Sequence, residues 1–167
     1  MIPKRQLPAF DAFVEVSSDR LLRTAYLLCG DRGHAEDLVQ TALMRTARHW
    51  GTAQAQPAAY ARKVVVNLAN DRWRGLARRP VELPLDLDVG GEVSEELLHR
   101  DELVRAALQL PAGQRAVLVL RFFEDLSVED TAACLGCTTG TVKSQTSRAL
   151  GNLRAALTPT QEHADVD

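Results

Sequence analysis

The chain has 167 residues, of which 46% are hydrophobic and 5% aromatic, and a net charge of −2. This is ample apolar material for one or two small packed domains, and the abundance of Leu, Ala, Arg and Glu favours helices. No apolar run approaches the roughly 18 residues of a membrane span, and the opening MIPKRQLPAF lacks the apolar core of a secretion signal. Three cysteines, an odd number, do not make a disulfide framework, so a cytoplasmic protein with no membrane contact is expected.

The first predicted helix carries Phe10, Phe13, Val14, Leu21, Leu22, Ala25 and Leu28 at helical spacing, with Gly30 placed to close it. A second helix is expected from about His34 to Trp50, burying Ala35, Leu38, Val39, Ala42, Leu43 and Ala47. Residues Gly51 to Gln56 read as a loop, and Pro57 suits the first turn of a third helix. That helix should turn Tyr60, Ala61, Val64, Val65 and Leu68 inward. Its remaining positions hold Arg62, Lys63, Asn67, Asn70, Arg72, Arg74, Arg78 and Arg79, with Trp73 among them. Bases, amides and an aromatic together suit single-stranded or distorted DNA, whose phosphates need neutralising and whose unstacked bases need partners.

A connector follows. Two prolines, two glycines and repeated acids between Pro80 and Val93 disfavour a helix, and the segment reads as an extended linker. The net charge hides an asymmetry at this point. Asp19 to Arg79 holds eleven basic and five acidic residues, whereas Val81 to Glu102 holds eight acidic residues and one base, Arg100. Local charge decides where a polyanion binds, so a basic module precedes an acidic connector.

Helical periodicity resumes with Leu97, Leu98, Leu103, Val104, Ala107 and Leu108. Pro111 opens another helix, with Val117, Leu118, Leu120, Phe122 and Phe123 available for burial. Ser127 to Leu153 then reads as helix, tight turn and helix. Ser127 can cap the first helix, with Asp130 three residues on. Small Ala132 lies four residues before Gly136, which can turn the chain with a positive φ. Thr138 or Thr139 can cap the second helix. Val142 then points into the core, leaving Thr141, Lys143, Ser144, Gln145 and Arg148 for an outer face that fits a major groove. The polar tail after Thr158 is expected to fray.

Enzymatic chemistry finds little support. Cys134 and Cys137 form a CxxC, which supplies two metal ligands rather than four, and a structural role is expected for both. Cys29 sits at a helix end and reads as core. His34, His49, His99 and His163 show no metal spacing, and neither a phosphate-cradling glycine loop nor a nucleophile elbow occurs. No catalytic residue, cofactor or metal is expected.

Three stretches carry a resemblance: HAEDLVQTALMRTARHW at His34 to Trp50, AYARKVVVNLANDRWR at Ala59 to Arg74, and LPAGQRAVLVLRFFEDLSVEDTAACLGCTTGTVKSQTSRALGNLR at Leu110 to Arg154. In this order and separation they resemble the sigma-70 family of RNA polymerase sigma factors, within its extracytoplasmic-function (ECF) group, and most of all the short SigE-type actinobacterial subfamily. The resemblance implies an all-α chain of two small helical domains: a region 2 bundle at 7–79 and a region 4 helix-turn-helix at 94–157, joined by a flexible acidic linker at 80–93 and followed by a tail at 158–167. It implies a chain that binds core RNA polymerase and directs initiation at promoters by recognising their −35 and −10 elements and aiding melting.

Roles follow position by position. Asp37, Gln40, Thr41 and Arg45 would dock on the β′ coiled coil. Arg62, Lys63, Asn67, Asn70, Arg72 and Arg74 would read and melt the −10 element. The stretch from His49 to Gln56 would help hold a flipped base, at a residue left open. The linker would thread the active-site cleft and RNA exit channel. Thr139, Thr141, Lys143, Ser144, Gln145 and Arg148 would meet the −35 element. Leu118 and Phe122 would either reach the β flap or bury in their own core. An anti-sigma factor is a possible further partner. One departure is Thr131, where many members have an aliphatic residue, which implies looser packing there. The linker also implies that the two domains move independently in the free protein. The alternatives are a stand-alone helix-turn-helix regulator and a decoy that binds polymerase without initiating.

Overall fold

The computed structural model describes the backbone of residues 2–77 and 95–158, and the side chains of residues 2–72 and 102–158. The expected linker at 80–93 and the tail beyond Thr158 lie outside the described residues, as do the side chains of Trp73, Arg74, Leu97 and Leu98. The described elements are all helical: a 3-10 turn at Lys4–Gln6, then α1 (Leu7–Cys29), α2 (Arg32–Arg48), α3 (Trp50–Ala53), α4 (Pro57–Ala77), α5 (Glu95–Leu108), α6 (Ala112–Leu118), a π-helical stretch at Val119–Phe123, α7 (Val128–Leu135) and α8 (Thr139–Leu157).

Local chemistry explains the boundaries. Gly30 ends α1 at φ 74°, a conformation that favours glycine. A methyl group there would also come within 3.3 Å of Leu108 Cδ2, so the position needs glycine for its packing as well. Asp31 caps α2, its Oδ1 accepting from the His34 backbone N–H at 2.7 Å. The helix therefore begins two residues earlier than periodicity suggests and stops at Arg48. Trp50 starts the short α3, which occupies part of the expected loop. In α2 the buried stripe ends on Thr46, while Ala47 is only half-buried. The Thr46 hydroxyl is satisfied by the Ala42 carbonyl at 2.8 Å, so burying it costs little.

The first unit packs α1, α2 and α4 together. Its core includes Phe13, Leu21, Leu28, Val39, Trp50, Val65 and Val66. Val66 and Ala69 are buried in addition to the expected positions, and Leu68 is only half-buried. Trp50 locks α3 against α1, its ring edge-on to Phe10 at 5.2 Å. In the second unit, α5, α6 and α7 each pack against α8. Leu103 is 45% exposed instead of buried, and Ala106 takes the inward position.

In this structure the two units pack against each other. Ala116, Val119 and Leu120 of the second unit are buried in the same cluster as Phe13, Leu21 and Val65 of the first. Arg115, 4% exposed, donates to the Leu28 carbonyl at 2.9 Å and to the Leu110 carbonyl at 3.0 Å, tying the end of α1 to the start of α6. The physical reason is apolar surface: Val119 and Leu120 are removed from water by covering themselves on α1 and α4.

The helix-turn-helix matches its sequence signals. The Ser127 hydroxyl accepts from the Asp130 N–H at 3.0 Å, and Gly136 turns the chain at φ 65°. Thr138, rather than Thr139, caps α8, accepting from the Thr141 N–H at 3.1 Å. Val142 is fully buried with Val117 and Ala132. Thr131 is also fully buried, and its Oγ1 has no hydrogen-bond partner among the described residues. An unsatisfied buried hydroxyl costs about 1–3 kcal/mol. Thr131→Val, of the same shape, should therefore raise stability by roughly 1 kcal/mol, read as a higher urea midpoint at unchanged m-value.

Candidate nucleic-acid interface

α8 separates its two faces cleanly. Val142, Ala149 and Leu153 are buried on one side. Thr141, Ser144, Gln145 and Arg148 recur at three and four residues on the other, so they form one stripe. Thr139, Thr141, Lys143, Ser144 and Arg148 are exposed, and Gln145 is half-buried. Neither Lys143 nor Arg148 forms an ion pair among the described residues. Both charges are therefore available to a polyanion. The helix is held at fixed depth by Val142 in the core and by Asn152, whose Nδ2 donates to Gln114 Oε1 of α6 at 2.8 Å. Exposed Ser147 flanks the same stripe and was not among the sequence candidates. Its signal was only the four-residue step from Lys143.

The six candidates on α4 do not all share a face. Lys63 and Asn67 are exposed and Asn70 is half-buried, one turn apart along one stripe, on which Arg74 falls by register. Arg72 falls on the opposite side by the same period, and its charge acts on Cys29 near the end of α1. Arg62 points to the second unit, where its Nη1 donates to Glu124 Oε2 at 3.2 Å. Sequence spacing could not show this diversion, because Glu124 is 62 residues away.

On α2, Asp37, Gln40 and Arg45 are exposed and Thr41 is half-buried, and the four share one face. Met44 stands on that face at 59% exposure and was missed. Its i+4 offset from Gln40 was legible, but methionine reads as core by default. In the stretch from His49 to Gln56, Trp50 and Ala53 are buried and so unavailable to a base, while Gly51, Thr52, Gln54, Ala55 and Gln56 are exposed. Phe122 is 57% exposed, whereas Leu118 is half-buried against Ala106, Ala107 and Leu153.

The cysteines are all free and half-buried. Burial pushes the Cys134 thiol up, with the nearby charges of Arg62 and Lys63 opposing it. Burial likewise raises Cys29, whose Sγ donates to the Asp31 carbonyl. Among the described residues, no group of three or more His, Cys, Asp or Glu side chains could hold a metal ion.

Residues 13–79 match the family model for sigma-70 region 2, and residues 100–153 match that for sigma-70 region 4. The RNA polymerase sigma-E factor of Streptomyces avermitilis is 40% identical over 163 residues, covering 95% of this chain and 88% of its own length. That of Streptomyces coelicolor is 40% identical over 153 residues, covering 89% and 85%. Among solved structures, the sigma factor RpoE of Bartonella quintana, crystallised with the anti-sigma factor NepR, superposes with a TM-score of 0.67 at 25% identity, covering 89% of this chain and 96% of that one. The chain belongs to the sigma-70 family of transcription initiation factors. Within that family it is an ECF sigma factor of the sigma-E type, and its function is to direct RNA polymerase to initiate at promoters. No described helix is long and apolar enough to cross a membrane.

The thiolate is the reacting form of cysteine, so raised thiols react late as pH increases. At pH 8, iodoacetamide should label Cys29 and Cys134 more slowly in the folded chain than in urea, and peptide mapping would read this directly. Equal rates in both states would contradict the burial described here.

Proposed function

We propose that the exposed face of α8 enters the major groove of the −35 element. Gln145 and Arg148 would reach base edges, Lys143 would grip phosphate, and Thr139, Thr141 and Ser144 would fix the helix on the backbone. The observation that supports this most is the pairing of a buried Val142 stripe with an opposite face whose two cations have no ion partner among the described residues. On α4, Lys63, Asn67 and Asn70, with Arg74 on the same register, form the stripe that contacts the −10 element. Arg62 joins it when freed from Glu124, and Arg72 contributes from the other side. The exposed residues between Gly51 and Gln56 are the candidates to hold a flipped base.

The α2 face of Asp37, Gln40, Thr41 and Arg45, extended by Met44, docks on the β′ coiled coil. Exposed Phe122 is the better candidate for the β flap than Leu118. The chain performs no catalysis of its own, needs no cofactor, and acts in the cytoplasm beside polymerase. An anti-sigma factor is a reasonable partner, since the solved relative from Bartonella quintana was crystallised with one.

Run-off transcription with purified core polymerase and fragmented genomic DNA tests the assignment. Discrete new transcripts should appear only with this chain. Polymerase binding without new starts would favour a decoy, and duplex DNA binding without polymerase would favour a stand-alone regulator. Within the holoenzyme, Lys143→Ala should weaken promoter binding on all sequences alike and lower the salt slope by about one. Arg148→Ala or Gln145→Ala should instead cost about 1–3 kcal/mol of discrimination at single −35 base pairs, read by competition against mutated promoters. Asp37→Ala and Arg45→Ala should reduce polymerase affinity without changing promoter choice.

A further inference from the structure

The joint between the two units contains a buried carboxylate. The Glu124 side chain is 4% exposed. Its Oε2 accepts from Arg62 Nη1 of α4 at 3.2 Å and from Arg20 Nε of α1 at 3.3 Å, and its Oε1 accepts from the Thr24 hydroxyl. Arg20 also donates to the Phe123 carbonyl at 2.8 Å and lies over the Phe123 ring at 5.5 Å. All three side chains that hold the carboxylate belong to the first unit, and the carboxylate belongs to the second.

The backbone is shaped to deliver Glu124 there. The π-helical stretch at Val119–Phe123 ends with the Glu124 N–H bonded five residues back, to the Val119 carbonyl at 2.9 Å. Asp125 then takes φ 56°, and is the only described non-glycine residue in the left-handed region. π-stretches and left-handed non-glycine residues both cost energy and cluster where a side chain must be aimed. Here they turn one carboxylate into the seam between α1 and α4.

Two guanidiniums and a hydroxyl converging on an anion would serve a DNA phosphate equally well. Arg62 cannot serve both partners at once. We propose that Glu124 is an intramolecular latch: by occupying the Arg20–Arg62–Thr24 anion site it holds the free chain closed and withholds Arg62 from promoter DNA until polymerase separates the units. This rests on the reading that Arg62 contacts DNA, but only for its functional consequence. The latch itself rests on the contacts above. Truncating one partner of a buried ion pair strands the others, so loss of Glu124 leaves two guanidiniums facing each other at the seam.

The test uses the full chain, free of polymerase. Small-angle scattering of the wild type should give a radius of gyration near the roughly 15 Å of a compact chain of this length, allowing for the linker and tail. Glu124→Lys places a third cation between Arg20 and Arg62 and should increase that radius clearly. Glu124→Gln and Arg20→Ala, which perturb folding less, should increase it to a smaller extent. Far-UV circular dichroism checks that the helices persist. In parallel, anisotropy of a short fluorescein-labelled single-stranded oligodeoxynucleotide should show several-fold tighter binding by Glu124→Lys than by Glu15→Lys, which makes the same charge change at an exposed site on α1. An increased radius with tighter binding supports both the latch and the role of Arg62. An increased radius with binding no tighter than Glu15→Lys keeps the latch and overturns the Arg62–DNA reading. An unchanged radius in Glu124→Gln and Arg20→Ala, with helices intact, overturns the latch whatever happens to DNA binding.

Discussion

Five consecutive residues, Ala116 to Leu120, have to be covered on every side, and the whole molecule is arranged to do it. Ala116, Val119 and Leu120 turn towards the first unit, Val117 towards α7 and α8, and Leu118 towards α5 and the end of α8. A helix that is apolar all round is stable only when it is enclosed. Fully burying a Val or Leu side chain is worth about 1.5–3 kcal/mol. The segment therefore organises both the helix-turn-helix and its seat on α1 and α4.

Polar groups then give this apolar joint its direction. Hydrophobic contact alone would let the units slide, whereas Arg115 on the Leu28 carbonyl and Glu124 between Arg20 and Arg62 fix one register. Glu124 and Arg115 are buried, so desolvation offsets much of their attraction, while removing one partner strands the others. Their effect is to make one docking geometry satisfied and its neighbours unsatisfied. The proposed latch requires a joint that is firm in the free chain and separable on polymerase. Two ion pairs onto one carboxylate suit that demand, because a partner that supplies other anions to the arginines can replace them.

The two proposed nucleic-acid faces differ in how far they are ready in this state. On α8 the candidate contacts are exposed, and the cap at Thr138 and the anchor at Val142 set the helix before DNA arrives. On α4 they are divided: Lys63 and Asn67 are open, Arg72 lies behind them, and Arg62 is engaged by the other unit. On the proposed assignment, the −35 contact is preformed, whereas the −10 contact is completed only once Arg62 is released from Glu124. Burial of Trp50 between Phe10 and Phe13 adds a rigid base under the short α3, so the exposed residues after it are presented from a fixed platform.

What the sequence determined by itself is local. Gly30, Gly136, Ser127 and the capping threonine mark helix ends because caps and left-handed turns are chemistry within a few residues. The all-α fold and the outward face of α8 follow from periodicity for the same reason, and the family resemblance follows from motifs that are themselves local. What tertiary structure decided is every feature that depends on residues far apart in the chain. Thr46 displaced Ala47 because packing selects the helix face within a residue. Arg62 looks the same as Lys63 in sequence, and the two are separated only by a carboxylate brought in from position 124. The shared core was hidden for the same reason: the run from Ala116 to Leu120 is visibly apolar, but nothing along the chain states which surface will cover it.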